Sequence, residues 1–301
     1  MTKQEPKPSY SPRRSCRTHW LQVYALACAC FFTSLVGLCL AYIIYRGSPT
    51  LSTSLFFGDT APLAAILGRQ PIWDGIWPAC AGTLSLVATS LALAIPPGVA
   101  AGIYLAEFPK SWLSRCVGPA IDILAGIPSI LMGLFGFTLI ITLRSLTLPT
   151  ANTSLLLSGL CIAMLILPYL ASTTRTALLA IPSQLRLTAN SLGFNQWQAI
   201  YRIYLPRCKT AIISGIMLAT GRAAEDTAVI MLTGAVANAG MPAGLLERYE
   251  ALPFTIYYYS SQYQSQQELN MVFGAALTLL IFTTTIFTIA GKIISNQHDT
   301  F

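Results

Sequence analysis

"ATGRAAEDTAVIMLTG", Ala219 to Gly234, closes an apolar run that begins near Ala211, and it sets Arg222, Glu225 and Asp226 where hydrocarbon calls for apolar side chains. A charged side chain at the centre of a membrane helix costs about 2.5–3.5 kcal/mol on insertion scales, so it normally faces a cavity, a partner or another charge. On a continuous helix Glu225 at i+3 and Asp226 at i+4 both reach the face of Arg222. One reading is an intrahelical ion pair that neutralises itself. The other is a cluster lining a path for a charged solute. A guanidinium offers a planar fork of N–H donors that matches oxyanions and stays charged at any working pH. An adjacent carboxylate can accept the O–H that phosphate keeps near neutrality, its second pKa being about 6 in monoesters. Sulfate has no such proton to give.

The rest of the chain supplies the hydrocarbon. Of its 301 residues 54% are hydrophobic and 10% charged, where soluble domains carry about 25% charged residues. Six stretches approach the roughly 20 apolar residues that cross a bilayer core: His19 to Tyr45, Pro78 to Ala106, Ile121 to Leu143, Ser154 to Thr173, Ala211 to Gly234 and Leu269 to Ile294. Alternating strands are absent from the pattern, so the fold expected is an all-α membrane protein of six transmembrane helices. The first apolar stretch is too long for a cleaved signal core of about 7–15 residues and reads as an anchor.

The 18 Lys+Arg against 11 Asp+Glu could suggest a nucleic-acid partner, but their distribution does not. Six crossings put both tails on one side, together with Lys110, Arg115, Arg175, Arg186, Arg202, Arg207, Lys209 and Lys292. The other side holds Arg46, Arg69, Arg144 and Arg248. The positive-inside rule then makes both termini cytoplasmic, and the basic excess reflects topology. The 8 cysteines are scattered and the 2 histidines sit near the tails, so neither a disulfide framework nor a metal site is expected. The chain contains no G-x-x-x-x-G-K-[ST] loop and no nucleophile–base–metal constellation. It reads as a non-enzyme with no cofactor of its own.

Residues 1–18 read as a flexible cytoplasmic tail and 19–77 as an anchor helix with an outer loop, whose Trp73 and Trp77 suit the membrane interface. Residues 78–294 form the core domain, and 295–301 a second cytoplasmic tail. In the second span "AIPPGVAAG" places Pro96 and Pro97 beside a Gly98-x-x-x-Gly102 seam, which predicts a kinked helix with a close-packing face. The cytoplasmic loop at 174–210 has five basic residues and no acid. There Pro182 and Ser183 predict a helix start, Gly193 a C-terminal cap, Asn195 an N-cap and Pro206 a stop. Trp197, Ile200, Tyr201 and Tyr204 fall on one helical stripe that must be buried against the lipid interface or protein. The outer segment 235–268 reads as a long polar loop, with Tyr257 to Tyr259 as interfacial anchors.

Ala189, Gly193, Ile203, Leu205 and Pro206 fall at the spacing of the signature loop of bacterial ABC importer permeases, E-A-A-x3-G-x9-I-x-L-P. Leu187 and Thr188 depart from its leading Glu and Ala. With "AGTLSLVATSLALAIPPGVAAGIYLAEF", "GIPSILMGLFG", "GRAAEDTA" and "LPFTIYYYSSQ" in order, the chain resembles the PstA-type permease subunits of bacterial phosphate importers from about Pro78 to Lys292. The resemblance implies a type I (MetI-like) permease fold. It further implies a PstC-type second permease subunit, two ATPase subunits that bind the ATP and dock on the signature loop, and a periplasmic phosphate-binding protein. The family's R-A-x-G-E-T-A is matched by Arg222, Ala223, Ala224, Glu225, Asp226, Thr227 and Ala228, so Asp226 takes the Glu position and Glu225 replaces the Gly. Arg222, Glu225, Asp226 and Thr227 are the expected substrate path. The alternatives left open are a permease for another oxyanion or small solute, and a membrane-embedded enzyme or proton-pump subunit using Glu225 and Asp226.

Overall fold

The computed structural model describes residues 12–58, 60–63, 75–146 and 151–298. Trp73, Arg69 and the chain ends at 1–11 and 299–301 lie outside the described residues. In chain order the helices are α1 (Pro12–Gly47), α2 (Thr53–Phe57), α3 (Trp77–Glu107), α4 (Trp112–Ala125), α5 (Ser129–Leu146), α6 (Leu155–Leu179), α7 (Ser183–Ser191), α8 (Gln196–Ala199), α9 (Leu205–Glu225), α10 (Thr227–Thr233), α11 (Leu252–Gln262) and α12 (Gln266–His298). Among the described residues there is no β-sheet, only an isolated bridge between Ala235 and Tyr249.

Among the described residues five helices are long and apolar enough to cross a membrane, with spans at His19–Thr50, Trp77–Glu107, Ser129–Leu146, Leu155–Leu179 and Gln266–Ile289. Two expected spans are redrawn. The third is divided by a bend at Gly126–Pro128, because Pro128 disfavours helix at the residue before it; its crossing helix starts at Ser129, and Ile121 belongs to α4. The fifth, expected as one helix from Ala211 to Gly234, breaks at Asp226 into α9 and α10. At the chain's start, α1 begins at Pro12, inside the segment expected to be a tail.

The centre of the bundle is the pair α3 and α6. Lipid tails are as apolar as the side chains, so helices in a membrane associate by close packing more than by escape from water. The Gly98–Gly102 seam faces α6: a Cβ at Gly98 would lie 2.8 Å from Leu170 Cβ, and one at Gly102 would lie 2.6 Å from the Ala171 carbonyl oxygen. The helix assignment of α3 runs unbroken through Pro96 and Pro97. Around this pair, buried residues of α3, α5, α6, α9 and α10 form one core that includes Leu86, Ile140, Ile162, Ile166, Ala223 and Ile230. The anchor α1 is exposed along almost its whole length. It meets α12 near one end, where Tyr42 stacks edge-on to Phe273 and the Arg46 guanidinium lies over the same ring.

The segment expected to be a polar outer loop is part helix and part buried plug. Its second half forms α11, and Tyr249 and Glu250 are buried. Loop carbonyls satisfy the orphan N–H groups at the start of α6: Leu155 N–H donates to Glu247 O at 3.0 Å and Leu156 N–H to Leu245 O at 2.7 Å. Leu252 N–H donates to Thr83 Oγ1 on α3 at 2.9 Å. Gly82 lies under the Glu250 carbonyl, which a Cβ there would approach to 1.9 Å. Backbone cannot give way like a flexible side chain. Gly82→Ala should therefore cost about 1–3 kcal/mol through overpacking, read as a lower Tm of the purified chain.

Glu250 accepts the Gly240 N–H at 2.8 Å. Burial pushes its carboxyl above the usual carboxylate range, more than the Gly240 and Ala239 N–H groups lower it. The docked loop thus holds the proton more tightly than the undocked loop, and docking weakens as pH rises from the ordinary carboxylate range through the raised one. Hydrogen exchange at the Gly240 amide, corrected for intrinsic rate, should show protection falling over that window, and Glu250→Gln should abolish the slope.

Candidate functional site: a broken helix and a clamped loop

Asp226 ends α9 by leaving helical geometry, with φ −74° and ψ 105°. Its carboxylate then caps the next helix: Oδ1 accepts the Val229 N–H at 3.0 Å. An N-cap carboxylate satisfies an orphan donor and suits the positive end of the helix dipole. The side chain is 7% exposed, so this acid is turned into the protein and used up by the backbone. The intrahelical ion pair, one of the two readings of the spacing, does not form: Asp226 lies beyond the end of α9 and turns to cap α10. Among the described residues neither Arg222 nor Glu225 has an ion-pair partner, and both are exposed. Thr227, half-buried, opens α10 and donates weakly to the Glu225 carbonyl at 3.5 Å.

Arg222 and Glu225 belong to a longer face. Arg207, Ala211, Ser214, Leu218, Arg222 and Glu225 are all exposed and follow one another at steps of three and four residues, so they form one stripe along α9. The side away from the stripe is packed through Ala219 and Ala223, and two close-packed glycines flank the stripe. A Cβ at Gly215 would meet Thr173 Oγ1 of α6 at 2.2 Å, and one at Gly221 would meet Phe287 of α12 at 2.5 Å. Below the break, Thr233 Oγ1 donates to Ser158 Oγ of α6 at 2.9 Å, which holds α10 to the core.

The signature-loop residues are brought together at the other end of α9. Pro182 and Ser183 start α7 and Asn195 caps α8, both as predicted from the sequence. The Asn195 cap is reciprocal: its Oδ1 accepts the Gln198 N–H at 2.8 Å, and its own N–H donates to Gln198 Oε1 at 3.0 Å. Gly193 has φ +76°. Its N–H donates to Asn190 O at 3.0 Å and the Phe194 N–H to Ala189 O at 3.2 Å, the paired bonds of a Schellman C-cap, which favours glycine for its left-handed backbone. Nothing lies within 4 Å of a Cβ built there, so conformation and not space selects the residue. Ala189 is buried, Ile203 and Leu205 are half-buried, and Pro206 is exposed.

One expectation about this loop is corrected. Pro206 does not stop a helix. It lies in the first turn of α9, where a missing N–H is tolerated, after a π-helical turn at Ile200–Tyr204 in which the Leu205 N–H reaches back to Ile200 O. Along the aromatic stripe Ile200 and Tyr204 are buried within the chain, while Trp197 and Tyr201 are exposed. Leu187 and Leu192 are exposed beside them, which leaves an apolar tip at the loop's end.

Sequence reasoning missed what fastens this loop. Arg186 Nη1 donates to Glu107 Oε2 at 3.0 Å, and Nη2 lies 2.9 Å from Oε1 while donating to the Leu178 carbonyl at 2.8 Å. The guanidinium also lies over the Tyr204 ring, 4.9 Å from its centroid. Gln196 Nε2 donates to the Glu107 carbonyl at 2.9 Å. Phe108 packs between Tyr104 and Trp197, with ring centroids 5.2 and 5.5 Å away. The Glu107 side chain is only 5% exposed. The end of α3 and the loop therefore move as one body. The only signal in the sequence was a lone acid closing an apolar span, 79 residues from its partner.

Comparison with known proteins gives the family and the fold. The family described as "Binding-protein-dependent transport system inner membrane component" matches residues 98–296. The chain belongs to that family. Like its members, this inner-membrane transport component is a transport subunit and not an enzyme. It is 31% identical over 276 residues, 90% of this chain and 93% of the relative, to the phosphate transport system permease protein PstA of Haemophilus influenzae. It is 28% identical to the permease protein PstC of Pasteurella multocida, with 88% of each chain covered. Among solved structures it resembles a chain of the MetNI methionine ABC transporter, with TM-score 0.57 and 18% identity over 73% of this chain and 96% of that one. It also resembles a chain of a bacterial ABC transporter involved in import of the acidic polysaccharide alginate, with TM-score 0.60 and 14% identity over 94% and 98%. The all-α fold is that of the type I ABC importer permeases.

The contribution of the clamp is measurable. In a double-mutant cycle on Glu107→Gln and Arg186→Gln, thermal unfolding of the purified chain should give a coupling energy of roughly 0.5–3 kcal/mol. Simple additivity would mean that the pair contributes nothing.

Proposed function

We propose that this transport component is a permease subunit of an ATP-driven phosphate importer, and that Arg222 contacts the anion in transit. The observation that carries the reading is a guanidinium without an ion-pair partner among the described residues, on a face of α9 that none of them covers. A bare cation there is unfavourable against lipid. The stripe is therefore read as one wall of a polar path, whose other wall is a second, PstC-type permease subunit. Relatives named as phosphate permeases along most of the chain's length support the choice of cargo.

Arg222 supplies bidentate N–H donors to the phosphate oxygens, and Glu225, one turn away on the same stripe, accepts the proton that phosphate retains. Asp226 has a different part: by closing the helix break it fixes where the stripe ends. Thr227 stays beside the path at the head of α10. One of the two ATPase subunits docks on the 174–210 loop through Leu187, Leu192, Trp197 and Tyr201, an apolar contact in place of the ion pair that the family's leading Glu would offer. ATP binds on those subunits, and this chain carries no cofactor. A periplasmic phosphate-binding protein delivers the anion to the opposite face, and both termini are cytoplasmic.

The test is uptake of radiolabelled phosphate and sulfate into vesicles reconstituted with all partner subunits. Arg222→Ala should preserve assembly, seen as co-purification of the ATPase, and reduce phosphate uptake at least a hundredfold. Normal uptake by that variant refutes the role of Arg222, and uptake of sulfate in preference to phosphate reassigns the cargo.

A further inference from the structure

The exposed stripe of α9 runs from Arg222 toward the basic end of the helix, and it does not end on a flat surface. An open cleft of about 1100 Å³ lies between α7, the π-helical turn and the start of α9, and Ala211, a member of the stripe, lines it. Arg202, Arg207 and Lys209 line the cleft together with Gln184, Thr188 and Thr210. Its lining contains no carboxylate, and the sequence from Thr174 to Thr210 contains no Asp or Glu at all. From Arg207 to Arg222 the stripe spans fifteen residues, about 22 Å at 1.5 Å rise per residue.

We infer that this cleft is a second anion station, at the inner end of the path, which takes a phosphate group leaving Arg222. The inference rests on the reading of α9 as a wall of that path, with its basic end cytoplasmic. The two stations differ in chemistry. At Arg222 a neighbouring carboxylate favours an anion that still carries a proton. The cleft offers guanidinium forks, hydroxyls and an amide with no opposing acid, so it favours the dianion, which keeps one proton and carries the larger charge. A multi-site path also needs each site weak enough to leave. The cleft that the single chain forms is open on one side, and cations in an open site are screened by salt and water, which favours loose binding.

A phosphate group can come from free phosphate or from a lipid headgroup, and the test separates them. The complete complex, in nanodiscs of phosphatidylcholine alone, is titrated with radiolabelled inorganic phosphate. R202Q/R207Q should remove one class of bound phosphate, and should do so again in the R222A background, where the other class is already lost. R207Q alone, a change of one exposed side chain, should raise the apparent Kd of that class at least threefold. Exchange of the lipid for phosphatidylglycerol should leave the count unchanged. Loss of the class in phosphatidylglycerol alone would make the occupant a lipid headgroup and overturn the assignment to free phosphate. Unchanged phosphate binding in R207Q and in the double variant would overturn the site itself. Unchanged binding and uptake in R222A, with the cleft class lost in R202Q/R207Q, would instead strike the role of Arg222.

Discussion

A helix broken at membrane depth must close its own backbone hydrogen bonds, because hydrocarbon offers no water to do so. Asp226 does this here with one carboxylate oxygen on the Val229 N–H, and much else follows from that bond. It uses up one of the two acids that could have neutralised Arg222. It ends α9 at Glu225, so the exposed stripe stops beside the break. It also starts α10, which Thr233 then fastens to α6 through Ser158. The shorter acid suits this capping position, since an Asp carboxylate reaches the N–H three residues on without a flexible extra carbon.

The same stripe joins the two ends of the molecule's chemistry. α9 is packed on one side through Ala219 and Ala223, with close contacts at Gly215 and Gly221 flanking the stripe, and left open on the other. At its far end it continues through the π-helical turn into the loop that Glu107 and Arg186 clamp to α3. Force applied to that loop therefore reaches α3 through a nearly buried ion pair and α9 through continuous helical backbone. α3 in turn is locked to α6 along the Gly98–Gly102 seam. A displacement of the loop is thus transmitted as movement of helices and not absorbed by the linker.

The opposite face is built for rigidity. The outer segment returns its carbonyls to the first turn of α6, and Leu252 ties it to Thr83, so the ends of α3 and α6 are capped by one plug. Relative motion of those two helices at this end would break bonds that have no solvent substitute in a buried setting.

From the sequence alone one could read the membrane, the all-α fold of apolar crossings, the caps at Pro182, Gly193 and Asn195, and the oddity of charge at Arg222. These depend on local backbone preference, on hydropathy and on the cost of charge in hydrocarbon, all of which act within a few residues. The tertiary structure alone decided that Asp226 turns inward while Arg222 and Glu225 stay outside, that Glu107 finds Arg186, and that Tyr249 and Glu250 of a polar-looking loop are buried. Spacing rules assume an unbroken helix, so they could not foresee a side chain that ends the helix and thereby changes the spacing. Long-range partners are chosen by packing of whole elements, and no periodicity in the chain encodes which two charges that packing brings to 2.9 Å.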